Sequence, residues 1–279
     1  MNSKYINYMN SKKASKNTIQ AYTKAVYDFE RFNKSKDITK ESILMWREDL
    51  VKKGLSSATI NLKMNGLKSY IEFLNMIGKA KENVITKEFK VKEENKVKHY
   101  MSSEMIRNMV VVATSYRDKA IVLTYVTTGM RVSELCDIEL AQYKQMKEQK
   151  VNYIVITGKG NKQRFVFFNE ETQKAIDKYL ETKTRSNCDK LFQSTWGNEI
   201  KRNNLGLTLK NIAKKAGIPF WQDINNHSLR SAAASIYAEN GVPVADIRDL
   251  LGHASIATTN RYIKTNVANI ENAVMRMKI

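Results

Sequence analysis

Apolar residues recur at helical spacing through the first 80 residues. Between residues 16 and 32, Ile19, Tyr22, Val26 and Phe29 fall on one face behind Ser15, a good N-cap. Ile60, Met64, Leu67, Ile71 and Leu74 form a second stripe, with Ser57 as its expected cap and Gly78 as its stop. Shorter stripes predict helices at residues 5–9 and 41–51. A helix with one apolar face buries it against a neighbour and leaves its polar side in water, so this region is expected to be a helical bundle.

Periodicity disappears between residues 79 and 98, where Lys, Glu and Asn alternate with isolated valines. That composition reads as a linker, drawn at residues 83–99. A second domain then opens at Ser102-Ser103-Glu104 with a helix through Val112, followed by an apolar helix at residues 118–128 that ends at Gly129. Tyr153-Ile154-Val155-Ile156, a glycine-rich Gly158-Lys159-Gly160-Asn161 and Phe165-Val166-Phe167-Phe168 predict a β-hairpin. Leu191-Phe192 is a candidate short strand, and the rest reads as helix. The expected fold class is mainly α with a small β-sheet in the second domain: a helical bundle at residues 1–82 and a mixed α+β domain at 100–264. Residues 265–279 form a tail in which Val267, Ile270, Val274 and Met277 are spaced like one face of a short helix.

Charge adds a partner to this outline. The 279 residues hold 47 Lys+Arg against 28 Asp+Glu, a formal net charge of +19, and neither domain alone carries the excess. Such a field attracts polyanions, with nucleic acid first among them. Other classes are poorly served. No apolar run approaches the ~20 residues that cross a bilayer, and the N-terminus lacks a signal core, which places the chain in the cytoplasm. Two cysteines, Cys136 and Cys188, make neither a disulfide framework nor a zinc cluster, and three histidines, one of them His99 in the linker, suit a metal nuclease badly.

Five segments of the second domain place a cation, an imidazole or a phenol beside a helix boundary or tight turn. Arg131 stands just past Gly129 at the start of a helix carrying Val132, Leu135 and Ile138, with Glu134 one turn on to orient it. Lys159 sits at the hairpin tip. His227 and Arg230, at i and i+3, share a helix face. His253 follows Gly252, the expected stop of a helix with Val244, Ile247, Leu250 and Leu251 inside. Tyr262 lies nine residues further on, after Asn260-Arg261. Each segment alone has an ordinary structural explanation.

In this order the segments resemble the tyrosine recombinase (phage integrase) family, in its Xer-like and Cre-like form without an arm-binding domain. That family carries an arginine in TGxRxSEL, a lysine in a GKG hairpin, an HxxR pair, an LGH histidine and a tyrosine nine residues beyond. The matching positions are Arg131, Lys159, His227 with Arg230, His253 and Tyr262. One departure is Ser231-Ala232-Ala233-Ala234 after Arg230, where many relatives have His and then Thr-Phe-Ala, so the packing behind that arginine is open.

The resemblance implies a site-specific DNA recombinase that needs neither metal nor ATP. Tyr262 would join to the 3′-phosphate, and the N-terminal bundle would be the core-binding domain that clamps DNA. It also implies double-stranded DNA with paired half-sites as partner, a tetramer on synapsed DNA in which the tail docks on a neighbouring protomer, and accessory DNA-bending proteins in some systems. Independently of the family, a phosphodiester under attack passes through a dianionic state that fixed arginine forks stabilise. A phenol of pKa about 10 needs help losing its proton near neutrality. A DNA-binding regulator of the same fold is the alternative from another class.

Overall fold

The computed structural model describes residues 3–34, 37–79, 89–92, 99, 101–158, 163–182 and 186–252. Lys159, His253, Tyr262 and the expected tail helix lie outside the described residues. The chain divides into two compact units, Met1–Val97 and Lys98–Ile279.

Among its described residues the first unit holds four α-helices: α1 (Ser3–Ser11), α2 (Lys16–Asn33), α3 (Lys40–Lys52) and α4 (Ser57–Met76). Short hydroxyl side chains start three of them. Ser15 accepts from the Thr18 N–H at the head of α2, and Thr39 and Ser42 cap one another reciprocally at α3. At α4 the cap is Ser56 rather than the expected Ser57. Ser56 has the extended backbone of a cap and accepts from the Thr59 N–H, so Ser57 is already the first helical residue.

The helices enclose an aromatic-rich core of Tyr5, Phe29, Trp46 and Phe73 with Ile43, Ile60 and Leu67. Each large ring fully removed from water contributes roughly 2–3 kcal/mol. Gly66, in the middle of α4, is explained by contact with α2. A Cβ there would lie 2.9 Å from the Ala25 Cβ and 3.1 Å from the Tyr22 Cα, so only glycine admits this approach.

The linker expectation needs correction at residues 89–92. Phe89 is buried in the first unit's core with Val91 packed beside it, and the Asn61 side-chain amide bonds both the N–H and the C=O of Val91 at 2.9 Å. Two apolar residues were enough to dock a segment that is otherwise polar.

The second unit is built around α6 (Tyr116–Thr128), whose Ala120, Ile121, Val122 and Tyr125 are buried. Against it pack α5 (Ser103–Val112), α9 (Glu170–Thr182) and α11 (Asn226–Glu239). The remaining α-helices among the described residues are α7 (Val132–Asp137), α8 (Leu140–Glu148), α10 (Arg202–Lys215) and α12 (Val244–Leu251). β1 (Tyr153–Thr157) and β2 (Gln163–Phe167) pair antiparallel with Tyr153 opposite Phe167 and Ile156 opposite Arg164. Ile154, Ile156 and Val166 face the core, while Val155, Phe165 and Phe167 face outward.

Leu191 and Phe192 do not form a strand. They are fully buried, but the flanking residues make only isolated bridges, Lys190 to Glu139 and Gln193 to Glu199. The apolar pair is there for the core and has no strand partner of its own. Cys136 is buried, which pushes its thiol up to about 11, and Cys188 is half-buried.

Candidate active site

The site begins where α6 stops. Gly129 takes the left-handed conformation at φ 57° that ends the helix, and a Cβ there would stand 2.2 Å from the Leu251 Cδ2. Glycine therefore answers two demands, the turn and the close passage of α12. Met130 is buried, and Arg131 follows as the extended N-cap of α7.

Glu134, at the third position of α7, reaches back to this cap. Its Oε2 accepts the Arg131 backbone N–H at 2.7 Å, and its Oε1 accepts Nη1 of the Arg131 guanidinium at 2.8 Å. The orienting role expected of Glu134 has this geometric basis. A second guanidinium, absent from the sequence reading, shares the same carboxylate: Arg164 of β2 donates Nη1 to Oε1 at 2.9 Å and Nη2 to Oε2 at 2.8 Å. Glu134 thus accepts four hydrogen bonds while only 7% exposed. Burial by itself would raise its carboxyl pKa, but the Arg164 fork and the Arg131 N–H outweigh burial and hold it below the ordinary carboxylate value.

A sequence signal for Arg164 did exist. Strand alternation places it on the same side as Val166 and Phe168, both buried. It was masked because the opposite face, Phe165 and Phe167, is also apolar, so the pattern does not say which side is inside.

On α11 the cap Asn225 accepts from the His227 and Ser228 N–H groups, and Ser228 returns a bond to the Asn225 N–H. This leaves His227 exposed on the first turn and Arg230, one turn later, only 5% exposed. Arg230 donates Nη1 to the Gly129 carbonyl and Nη2 to the Leu251 carbonyl, both at 2.5 Å. Ala232, Ala233 and Ala234 behind it are fully buried, and Ala233 lies 3.5 Å from where a Gly129 Cβ would be. The alanine run therefore packs as a close helix contact in place of the bulkier pattern of many relatives.

These arginines meet at one place, the C-terminus of α12. Leu250 O accepts from Arg164 Nε at 3.1 Å, Leu251 O from Arg230 and Gly252 O from Arg131 Nη2 at 2.7 Å. A helix C-terminus exposes unpaired carbonyls and the negative end of the helix dipole, so three cations stabilise it chemically and electrostatically. Gly252, left-handed at φ 65°, ends α12 at this point, and a Cβ there would sit 3.1 Å from the Arg164 Cδ.

Of the expected site residues, the structure thus brings Arg131, Glu134 and Arg230 together and sets His227 at the mouth of the same helix as Arg230. Lys159, His253 and Tyr262 are not among the described residues. In sequence, His253 directly follows the glycine whose carbonyl Arg131 holds.

Comparison with known proteins identifies the family. The model of the phage integrase family matches residues 94–269, and that of the phage integrase N-terminal SAM-like domain matches residues 3–76. The chain is 30% identical to the tyrosine recombinase XerD of Rickettsia conorii, covering 94% of this chain and 92% of that protein. It is 29% identical to the tyrosine recombinase XerA of Pyrococcus horikoshii, covering 99% and 92%. Among solved structures, the Tn1549 transposon integrase in complex with circular intermediate DNA superposes with a TM-score of 0.77 over 99% of this chain and 98% of that one, at 16% identity, a likeness of fold. The fold and the matched sequence agree: the chain belongs to the phage integrase family of tyrosine-type site-specific recombinases.

Proposed function

We propose that Tyr262 is the nucleophile of this recombinase and that Arg131, Lys159, His227, Arg230 and His253 serve it. The observation that carries the reading is the convergence of Arg131 and Arg230 on the end of α12, the point from which the chain runs on to His253 and Tyr262. Two guanidiniums there can hold the non-bridging oxygens of a phosphodiester and offset the charge that builds up in its transition state.

In the cleavage step the Tyr262 Oη bonds to phosphorus as the bond from phosphorus to the 5′-oxygen breaks. His227 takes the phenol proton, Lys159 protonates the leaving 5′-oxygen, and His253 hydrogen-bonds a phosphate oxygen. The product is a 3′-phosphotyrosine with a free 5′-hydroxyl. Because the ester stores the bond energy, a 5′-hydroxyl from a partner strand restores the backbone by the reverse reaction without ATP. Glu134 orients Arg131 throughout.

The substrate is double-stranded DNA with paired half-sites, worked on by a tetramer in the cytoplasm, with residues 265–279 docking on the neighbouring protomer and accessory DNA-bending proteins assisting at some sites. Support for DNA as partner comes from the net charge of +19 and from relatives solved on DNA, including the lambda integrase dimer bound to a COC′ core site.

The test is covalent capture on nicked duplexes drawn from a random-sequence pool. The wild-type chain is expected to form an adduct that survives denaturation, in EDTA as well as without it, whereas Tyr262→Phe binds the same DNA and forms none. An adduct with Tyr262→Phe would overturn the nucleophile assignment, and abolition by EDTA would overturn the metal-free mechanism.

A further inference from the structure

We propose that Arg164 is a positioning residue of the cleavage reaction: it satisfies Glu134 so that Arg131 remains available to the phosphate, and it pins the last turn of α12. The inference rests on the reading of Arg131 as a phosphate-binding cation given above.

The two arginines on Glu134 differ in how they use it. Arg164 takes both carboxylate oxygens with its two terminal nitrogens and spends Nε on Leu250 O, so all three of its nitrogens are engaged and its side chain is 11% exposed. Arg131 gives Glu134 one terminal nitrogen and Gly252 O the other, and its side chain is 31% exposed. Among the described residues those two bonds use two of the five guanidinium N–H groups. By the same count Arg164 uses three of its five, and it is the less exposed of the two, so Arg164 is the enclosed partner that neutralises the carboxylate and Arg131 is the one with more donors and more surface left for an anion.

The consequence of removing Arg164 follows from charge and geometry. Two guanidiniums and one carboxylate carry a net +1; without Arg164 the remaining pair carries none, and Glu134 can draw Arg131 into its own two-oxygen fork. The cation meant for the phosphate would then be spent on the carboxylate. Loss of the bond to Leu250 O would also loosen the carbonyl end of α12, from which the chain continues into His253. A lysine keeps the charge but offers a single nitrogen, which does not reproduce a planar fork that spans two carboxylate oxygens and a carbonyl.

The experiment measures single-turnover cleavage of a nicked site at saturating protein, with affinity and its salt dependence measured separately. Arg164→Met is expected to cleave about 30–100-fold more slowly and Arg164→Lys at least about tenfold more slowly, the scale on which groups supporting an active site act. Affinity should change less than about threefold, and the slope of log K against log salt should not move, because Arg164 gives its donors to Glu134 and Leu250 O. Arg164→Lys should keep its melting temperature within a few degrees, which separates positioning from a merely structural role.

Wild-type cleavage rates in bound, folded variants would overturn the proposal, as would full rescue by lysine. Unfolding of both variants would overturn it too, by making Arg164 an element of the fold. A salt slope reduced by about one would mean that Arg164 contacts phosphate directly, and would overturn the assignment in that way. If the wild-type chain forms no adduct at all, the functional reading fails and this inference falls with it, an outcome distinct from equal rates in wild type and variants.

Discussion

The two units treat charge in opposite ways. In the first, the interior belongs to rings and aliphatic chains, and ion pairs stay at its rim: Asp28 bonds Lys63 with side chains 26% and 15% exposed, and Lys12 meets Glu72 across open surface. In the second, Glu134 and Arg230 are buried and Arg164 nearly so, and among the described residues every buried charged side chain lies there. Taking an ion out of water costs several kcal/mol unless partners replace the lost hydration. The first unit avoids that cost by keeping its ion pairs at the surface. The second meets it with a carboxylate that accepts four bonds and with three guanidiniums that share the end of a helix. Among the described residues the burial of charge is confined to the surroundings of the α12 C-terminus, where the proposed function puts the phosphate.

The largest effect should come from Arg230. Arg230→Met removes the donor to both the Gly129 and Leu251 carbonyls, and two buried acceptors losing a partner should cost about 4 kcal/mol in urea unfolding. Cleavage should fall at least about a hundredfold, as when one oxyanion donor is lost. A variant as stable as wild type would contradict the claim that α11 and α12 are joined through this side chain.

Glu134→Gln should come next, at about 2 kcal/mol near neutral pH, because it leaves the Arg164 fork half satisfied. The folded carboxyl lies below its ordinary value of 4.5. Its contribution is therefore complete above pH 4.5, where both folded and unfolded chains are ionised, and is lost as pH falls through the lowered folded pKa. The stability gap between wild type and Glu134→Gln should accordingly narrow below pH 4.5; a gap that widens on acidification would reverse the assigned direction.

Asp28→Asn in the first unit should have the smallest effect, within about 1 kcal/mol, since its pair with Lys63 is partly solvated. Its cleavage rate should equal wild type once bound. A larger stability loss here than at Arg230 would erase the contrast between the units.

Most of the fold was legible because helices announce themselves by period and by caps. Ser15, Gly129 and Gly252 each stand where the pattern puts them. Three features were hidden for physical reasons. Phe89 and Val91 are single apolar residues in a polar stretch, too few to set a period, yet they dock. Leu191 and Phe192 are apolar like a strand, but pairing depends on partners that local sequence does not reveal. Arg164 sits on a strand with apolar residues on both faces, so its inward direction is decided by the core it meets. Within the site, Arg131 and Arg230 were legible from the family-like order of their motifs and Glu134 from its place one turn past Arg131, whereas the surface that unites the arginines, three carbonyls at the end of α12, is a tertiary feature with no mark in the local sequence.

The most direct test of the account is the identity of the residue that carries the DNA. Adduct trapped on a nicked duplex would be digested with protease and nuclease, and the peptide bearing a nucleotide sequenced by mass spectrometry. The account predicts a 3′-linked nucleotide on Tyr262 and on no other residue; a nucleotide on any other side chain, or linkage through a 5′-phosphate, would contradict it.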